Sequence, residues 1–174
     1  MQRVFVSIGS NIEPEINLEL VKVNLSNLFE CEYSTTYETK SEGFSGDNFL
    51  NAVVGFKTDI KPLALKGVLK SIETDMGRTE DQKGMSSRVV DLDIILYGDL
   101  IIDNEEIVLP SSDIQEYLFV LEPLVEIAGD LKHPVLKVTF LELLKHSYED
   151  LNKITKKHLD LYFKKILKLK HLPA

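Results

Sequence analysis

The stretch Arg88-Val89-Val90-Asp91-Leu92-Asp93-Ile94-Ile95-Leu96-Tyr97 reads as a strand, and Gly98-Asp99 turns it. Aspartate is depleted in strands, yet two interrupt this apolar run. Side chains alternate across a strand, so Asp91 and Asp93 share one face, about 7 Å apart, and Leu92, Ile94 and Leu96 are expected on the other, against helices. Upstream, Pro62 stands where a helix begins. Leu63 to Met76 has apolar residues at 63, 65, 68, 69, 72 and 76, and Gly77 is a natural stop. Before that come a strand over Phe49 to Phe56, a Tyr- and Thr-rich strand over Tyr33 to Tyr37, and helical spacing over Asn17 to Leu28. The first strand runs from Val4 to Ile8 and ends at Gly9-Ser10-Asn11. Strand, helix, strand, strand, helix, strand is the split βαβ order of ferredoxin-like α+β folds. It predicts an antiparallel sheet with both helices on one face, the other face being left for a site or an added layer.

Beyond Gly98 the signals are shorter. Leu100 to Ile102 and Glu106 to Leu109 suggest a small hairpin. Phe119 to Ala128 suggests a short helix despite Pro123, and Thr139 to Ser147 another. Leu151 to Leu169 is amphipathic and basic. From Leu151 onwards there are seven lysines and one acid, a net +6 in a chain of net −8, which leaves −14 on the rest. The reading is therefore one domain over 1–150, with a helical extension over 151–174 that packs on the body with its lysines in water or, alternatively, contacts the acidic body of a second subunit or a partner.

The 174 residues are 44% hydrophobic and 28% charged, as in an ordinary globular domain. No apolar run is long enough for a membrane span. Met1 to Val6 enters a strand-like pattern at once, which is read as leaving no room for a signal peptide. A single cysteine, Cys31, fits a reducing compartment and is read as a small buried hydrophobe. The expected location is cytoplasmic. A body this acidic has little non-specific affinity for nucleic acid. If it handles a polyphosphate, it needs metal ions and a few placed arginines.

Two constellations carry chemistry. Asp91 and Asp93 on one face can hold hard cations such as Mg²⁺, which favours oxygen ligands and keeps substrate phosphates in its shell. Alternatively they face water on an exposed sheet. The apolar surroundings and the nearby Arg78 and Arg88, both candidate phosphate clamps, favour the cation. Phe49 and Asn51 likewise share a face. A ring beside an amide suits a flat heterocycle, although a core Phe with a strand-end Asn is the plainer reading. Thr39 to Gly43 can wrap a ligand through its backbone. Gly9-Ser10-Asn11 is no phosphate loop, because no Gly-Lys-Ser/Thr follows. His133, His146, His158 and His171 have no metal spacing.

In order, these segments resemble the 6-hydroxymethyl-7,8-dihydropterin pyrophosphokinases. The resemblance is carried by Val6 to Asn11, Tyr37 to Thr39 with Asp47 to Ala52, Ile72-Glu73 with Met76 to Arg78, Arg88 to Gly98, and Phe119 to Ala128 followed by His133-Pro134. It spans roughly residues 4 to 144. It implies transfer of pyrophosphate from ATP to the hydroxymethyl group of a reduced pterin, in a monomer or a homodimer. It implies two Mg²⁺ on Asp91 and Asp93, with Phe49 and Phe119 sandwiching the pterin. Asn51, Thr39 and Gly43 would contact that ring, Arg78 and Arg88 the ATP phosphates, and Glu73 and Ile94 would border the nucleotide. The loop from Gly77 to Ser87 would close over ATP. The chain departs from the family on the ATP side, where Ser86-Ser87, Glu80, Met85, Ser111 and Tyr117 stand at positions the family fills otherwise. A pterin-binding paralogue with reduced or lost kinase activity, and the same scaffold acting on a related substrate or donor, are the alternatives.

Overall fold

Strand β1 (Gln2–Ser10) forms the middle of a computed structural model that describes residues 1–39, 48–79 and 89–150. Around it lie α1 (Pro14–Leu28), β2 (Glu32–Tyr33), β3 (Tyr37–Thr39), β4 (Phe49–Thr58), α2 (Pro62–Asp75) and β5 (Asp91–Tyr97). A hairpin of β6 (Ile102–Asp103) and β7 (Val108–Leu109) follows, then α3 (Asp113–Glu116), α4 (Leu118–Ala128) and α5 (Phe140–Asp150). Gly43, Arg88, residues 80–87 of the loop expected to close over ATP, and the extension over 151–174 lie outside the described residues. No helix among the described residues is long and apolar enough to cross a membrane.

The sheet is antiparallel, in the order β2-β4-β1-β5, with β3 pairing the other end of β4. Alternation along β1 builds two cores. Val4, Val6 and Ile8 pack with Leu18, Val21, Leu25, Leu65 and Leu69 of α1 and α2. Phe5 packs with Val53, Leu121, Leu124, Phe140 and Leu144 on the opposite face. The first two helices thus share one face, as the element order requires, and α4 and α5 form the added layer on the other. Cys31 is half-buried beside the α1/α2 core.

Two expectations need correction. Leu96 does not stay with Leu92 and Ile94. The β1–β5 ladder pairs Phe5 with Leu96 and Val6 with Ile94, so Ile95 is an extra residue in a bulge. One added residue exchanges the faces of all that follows. Ile95 and Leu96 therefore join the α4/α5 core, and Leu92 and Ile94 the α1/α2 core. The strand expected over Tyr33 to Tyr37 is divided at Ser34. The Ser34 amide donates to the Val53 carbonyl (2.9 Å), but the Val53 amide donates to the Ser34 hydroxyl (2.9 Å) instead of a carbonyl, and the ladder is interrupted there.

Gly55 marks the tightest approach in the sheet. A Cβ there would lie 2.8 Å from Cε1 of the buried Phe5 ring. Gly55→Ala is expected to cost roughly 1–3 kcal/mol by overpacking. A urea midpoint unchanged from the parent would refute this.

Candidate functional site

Ladder partners in an antiparallel pair project to the same face. Tyr37 pairs Asn51, Asn51 pairs Gly9, and Gly9 pairs Asp91. One row therefore runs across four strands on a single face, and the next row carries Asp93 opposite Ser7. This is the face that α4 and α5 cover further along. Adjacent strands are about 4.8 Å apart, so Asn51 and Asp91 stand about 10 Å from one another. The glycine between them adds no side chain to that space.

On the β4 side of the row, Asn51 is buried and its Nδ2 donates to Thr39 Oγ1 (2.8 Å). Phe49, two residues before Asn51, lies on the same face opposite Thr39. Alternation along the strand puts Phe49 and Asn51 on one face and the family resemblance associates Thr39 with them; the fold brings the three together. Phe119 is half-buried near the start of α4, and the ring of Tyr117 stacks on it with centroids 4.9 Å apart. Behind the row, the buried Glu126 of α4 accepts from the Thr35 amide (2.7 Å), the Thr35 hydroxyl (2.8 Å) and the Tyr37 hydroxyl (2.8 Å). Burial, and then this acceptor, hold the Tyr37 hydroxyl protonated well above the ordinary phenol range.

On the β5 side, a cavity of about 500 Å³ runs along the outer edge of β5, between α2 and the segment from Asn104 to Val108. Cavities of this size suit a nucleotide-sized ligand. Asp91, Asp93, Glu73, Arg78 and Ile94 line it, together with Ser111 and Asp113. Arg78 Nη1 reaches Glu73 Oε2 (2.7 Å), Asp91 Oδ1 (2.8 Å) and the Val90 carbonyl (3.2 Å). Glu73 also accepts the Leu92 amide (2.7 Å). Gly77, with φ of 95°, ends α2 so that Arg78 turns back onto it, and the Arg78 amide donates to the Glu73 carbonyl (3.0 Å).

The electrostatics of this end are dominated by carboxylates. Asp93 exposes its surface towards the cavity and is ringed by protein atoms. That desolvation, then the charges of Asp91, Asp113 and Glu73, push its carboxyl up to about 7. Burial also raises Glu73, against the Leu92 amide and Arg78, which favour its charged form. Asp113 is raised by burial, then by the charges of Glu116 and Asp91. A set of oxygen donors that repel one another, with a cationic side chain already on one of them, fits a hard divalent cation. Among the described residues no group of three or more His, Cys, Asp or Glu side chains has metal-holding geometry. Asp91 and Asp93 are the pair of oxygen donors there that could hold such a cation, with substrate oxygens or water completing its shell.

Asp113 and Glu126 escaped the sequence reading. Glu126 had a signal of the same kind as Asp91 and Asp93, an acid inside an apolar run. Asp113 opens a helix of four residues, too short to be seen as periodicity. His133 is buried, its Nδ1 accepting the amides of Val135 (3.2 Å) and Leu136 (3.1 Å), and burial lowers its pKa. It is a turn residue.

The fold class comes first. The structure superposes with a TM-score of 0.69 on a Plasmodium falciparum structure titled HPPK-DHPS A437G with pteroate, over 91% of this chain and 45% of that one. At 14% identity this is a likeness of α+β architecture alone. The sequence goes further. The family model described as 7,8-dihydro-6-hydroxymethylpterin-pyrophosphokinase matches residues 5–129, and the chain belongs to that family. A Haemophilus influenzae protein named 2-amino-4-hydroxy-6-hydroxymethyldihydropteridine pyrophosphokinase is 34% identical over 139 residues, covering 77% of this chain and 86% of that protein. The Pneumocystis carinii folic acid synthesis protein fol1 is 37% identical over 139 residues, but the chain spans only 18% of its length. Members of the family are ATP-dependent pyrophosphokinases of folate synthesis, and this chain carries their domain.

Proposed function

We propose that this chain transfers the β,γ-pyrophosphoryl group of ATP to the hydroxymethyl oxygen of 6-hydroxymethyl-7,8-dihydropterin, with two Mg²⁺ held on Asp91 and Asp93. The observation that supports this most is the row Asn51-Gly9-Asp91. It sets an aromatic and amide pocket and an acidic pair on one face, two strands apart, with a glycine at the ladder position between them. A pterin lying flat by Phe49 then extends its hydroxymethyl arm towards the carboxylates.

Each residue has a distinct task in this reading. Phe49 and Phe119 stack on the pterin, and Asn51 pairs with its polar edge while Thr39 fixes the amide. Glu73, Arg78 and Ile94 border the nucleotide in the cavity along β5. When bound at Asp91 and Asp93, Mg²⁺ neutralises charge on the phosphates and orients them. The pterin hydroxyl oxygen forms a bond to the β-phosphorus, the bond from that phosphorus to the α,β-bridging oxygen breaks, AMP leaves, and the hydroxyl proton passes to water. No covalent intermediate on the protein is needed, so positioning carries the rate. Gly43 and Arg88, outside the described residues, are assigned to the pterin and the phosphates on the resemblance alone.

The test is AMP release from purified protein, ATP, Mg²⁺ and 6-hydroxymethyl-7,8-dihydropterin. AMP that appears only with pterin supports the transfer. Pterin binding by calorimetry without AMP release would replace it with the pterin-binding paralogue or a different donor.

The acidic pair sets a pH dependence. A cation displaces the proton from a carboxylate it binds. Asp93, with its carboxyl raised to about 7, is largely protonated below that pH and ionised above it. The Mg²⁺ concentration for half-maximal rate is therefore expected to fall as pH rises from 6 to 7, by up to about tenfold per unit, and to level off by pH 8. A flat profile from pH 6 to 8 would refute the assignment of Asp93.

A further inference from the structure

Leu92 lies between the two aspartates on the outermost strand of the sheet, beyond which no strand pairs among the described residues. Its amide would otherwise need water. It donates instead to Glu73 Oε2 at 2.7 Å, and the same oxygen takes Arg78 Nη1 at 2.7 Å. That one guanidinium nitrogen also lies 2.8 Å from Asp91 Oδ1. Arg78 and Glu73 are largely buried, with side-chain exposures of 16% and 12%. Asp91, at 26%, is more open towards the cavity.

From this geometry we infer that Glu73 is a positioning residue for the acidic pair: it fixes the backbone that carries Asp91 and Asp93, and it is the anion on which Arg78 rests when a divalent cation takes Asp91. The inference deepens the reading of Asp91 and Asp93 as cation ligands, and rests on it. In the cation-free chain Arg78 bonds two carboxylates among the described residues, those of Glu73 and Asp91. A divalent cation at Asp91 would repel that guanidinium across a few ångströms of partly desolvated space. Glu73 is on α2 and keeps a carboxylate on the largely buried Arg78 when the cation takes Asp91. If Glu73 were neutral, Asp91 would be the one of these two carboxylates still charged, and the guanidinium would compete with the cation for it.

The experiment measures Mn²⁺ binding to the full chain without nucleotide, by water proton relaxation. The proteins are the parent, Glu73→Gln, Arg78→Gln, the double variant, and Asp93→Asn as control. Glu73→Gln keeps an acceptor for the Leu92 amide and removes the charge. Its Mn²⁺ Kd is expected to rise at least fivefold, with melting close to the parent's. Arg78→Gln removes the competitor, and its Kd should fall about threefold or more. In the double variant the Kd should stay near that of Arg78→Gln, because Glu73 acts through Arg78. A Kd for Glu73→Gln within twofold of the parent overturns the inference, as does a fivefold weakening that persists undiminished in the Arg78→Gln background. Parent binding no tighter than that of Asp93→Asn overturns the cation reading itself, and the inference with it.

Discussion

Asp93→Ala is expected to lower pterin-dependent AMP release by about a thousandfold or more, on the order of 4 kcal/mol of transition-state stabilisation. Three carboxyl groups besides its own act on Asp93, and among the described residues Arg78 hydrogen-bonds Asp91. Among the described residues the largest charges acting on Asp93 are thus those of other carboxylates, which suits a cation ligand. Its removal should abolish the Mg²⁺ dependence of nucleotide binding, not merely slow the reaction. Stability should move the other way. A carboxyl whose folded-state pKa lies above its unfolded one is penalised by the fold once ionised, so its contribution is present at low pH and is lost as pH rises through about 7. At pH 8 the cation-free Asp93→Ala chain should thus melt at or above the parent temperature. Lost activity with unchanged or higher melting separates a ligand from a structural residue. A rate within tenfold of the parent would sink the two-cation reading. Asp91→Ala should be as inactive, with a different origin, because Arg78 then keeps Glu73 and the Val90 carbonyl but loses its second carboxylate.

How far the sequence disclosed this arrangement follows from the physics of each signal. Period-two and period-3.6 patterns are local, so β1, α1, β4, α2 and β5 could be read with only their ends in error. Pairing is not local. The row from Tyr37 to Asp91 joins residues more than fifty positions apart, and the resemblance to a family, not periodicity, associated Asn51 with Asp91. The bulge at Ile95 was hidden because Ile94, Ile95 and Leu96 are all apolar, so either face suits each of them. Asp91 and Asp93 stood out because an acid in an apolar strand needs a reason. Glu126 and Glu73 are also acids at apolar-facing positions, but a helix offers a solvent side, and only the packed structure shows that neither uses it.

Glu126→Ala is the substitution outside the cation site expected to cost most. One carboxylate accepts from the Thr35 amide, the Thr35 hydroxyl and the Tyr37 hydroxyl. Truncation removes the shared acceptor and leaves a backbone donor and two hydroxyls to be resolved at a helix–strand junction. Unmade hydrogen bonds at a charged acceptor cost about 1–3 kcal/mol each where water is excluded. Thr35 is exposed and can turn to solvent, so a total of about 2–4 kcal/mol is reasonable. In a chain of this size that is a melting temperature lower by roughly 5–15 °C. The loss should be felt first in β3, a strand of three residues that pairs only with β4 among the described strands and is tied by Glu126 to α4. Because β3 ends in Thr39, which holds the Asn51 amide, pterin affinity should fall while nucleotide affinity is kept. Tyr37→Phe removes one donor and should cost about 1 kcal/mol in the parent, and much less where Glu126 is already absent. Equal costs in both backgrounds, or equal losses of pterin and nucleotide affinity, would show that Glu126 supports the fold as a whole and not the strand beneath the pterin.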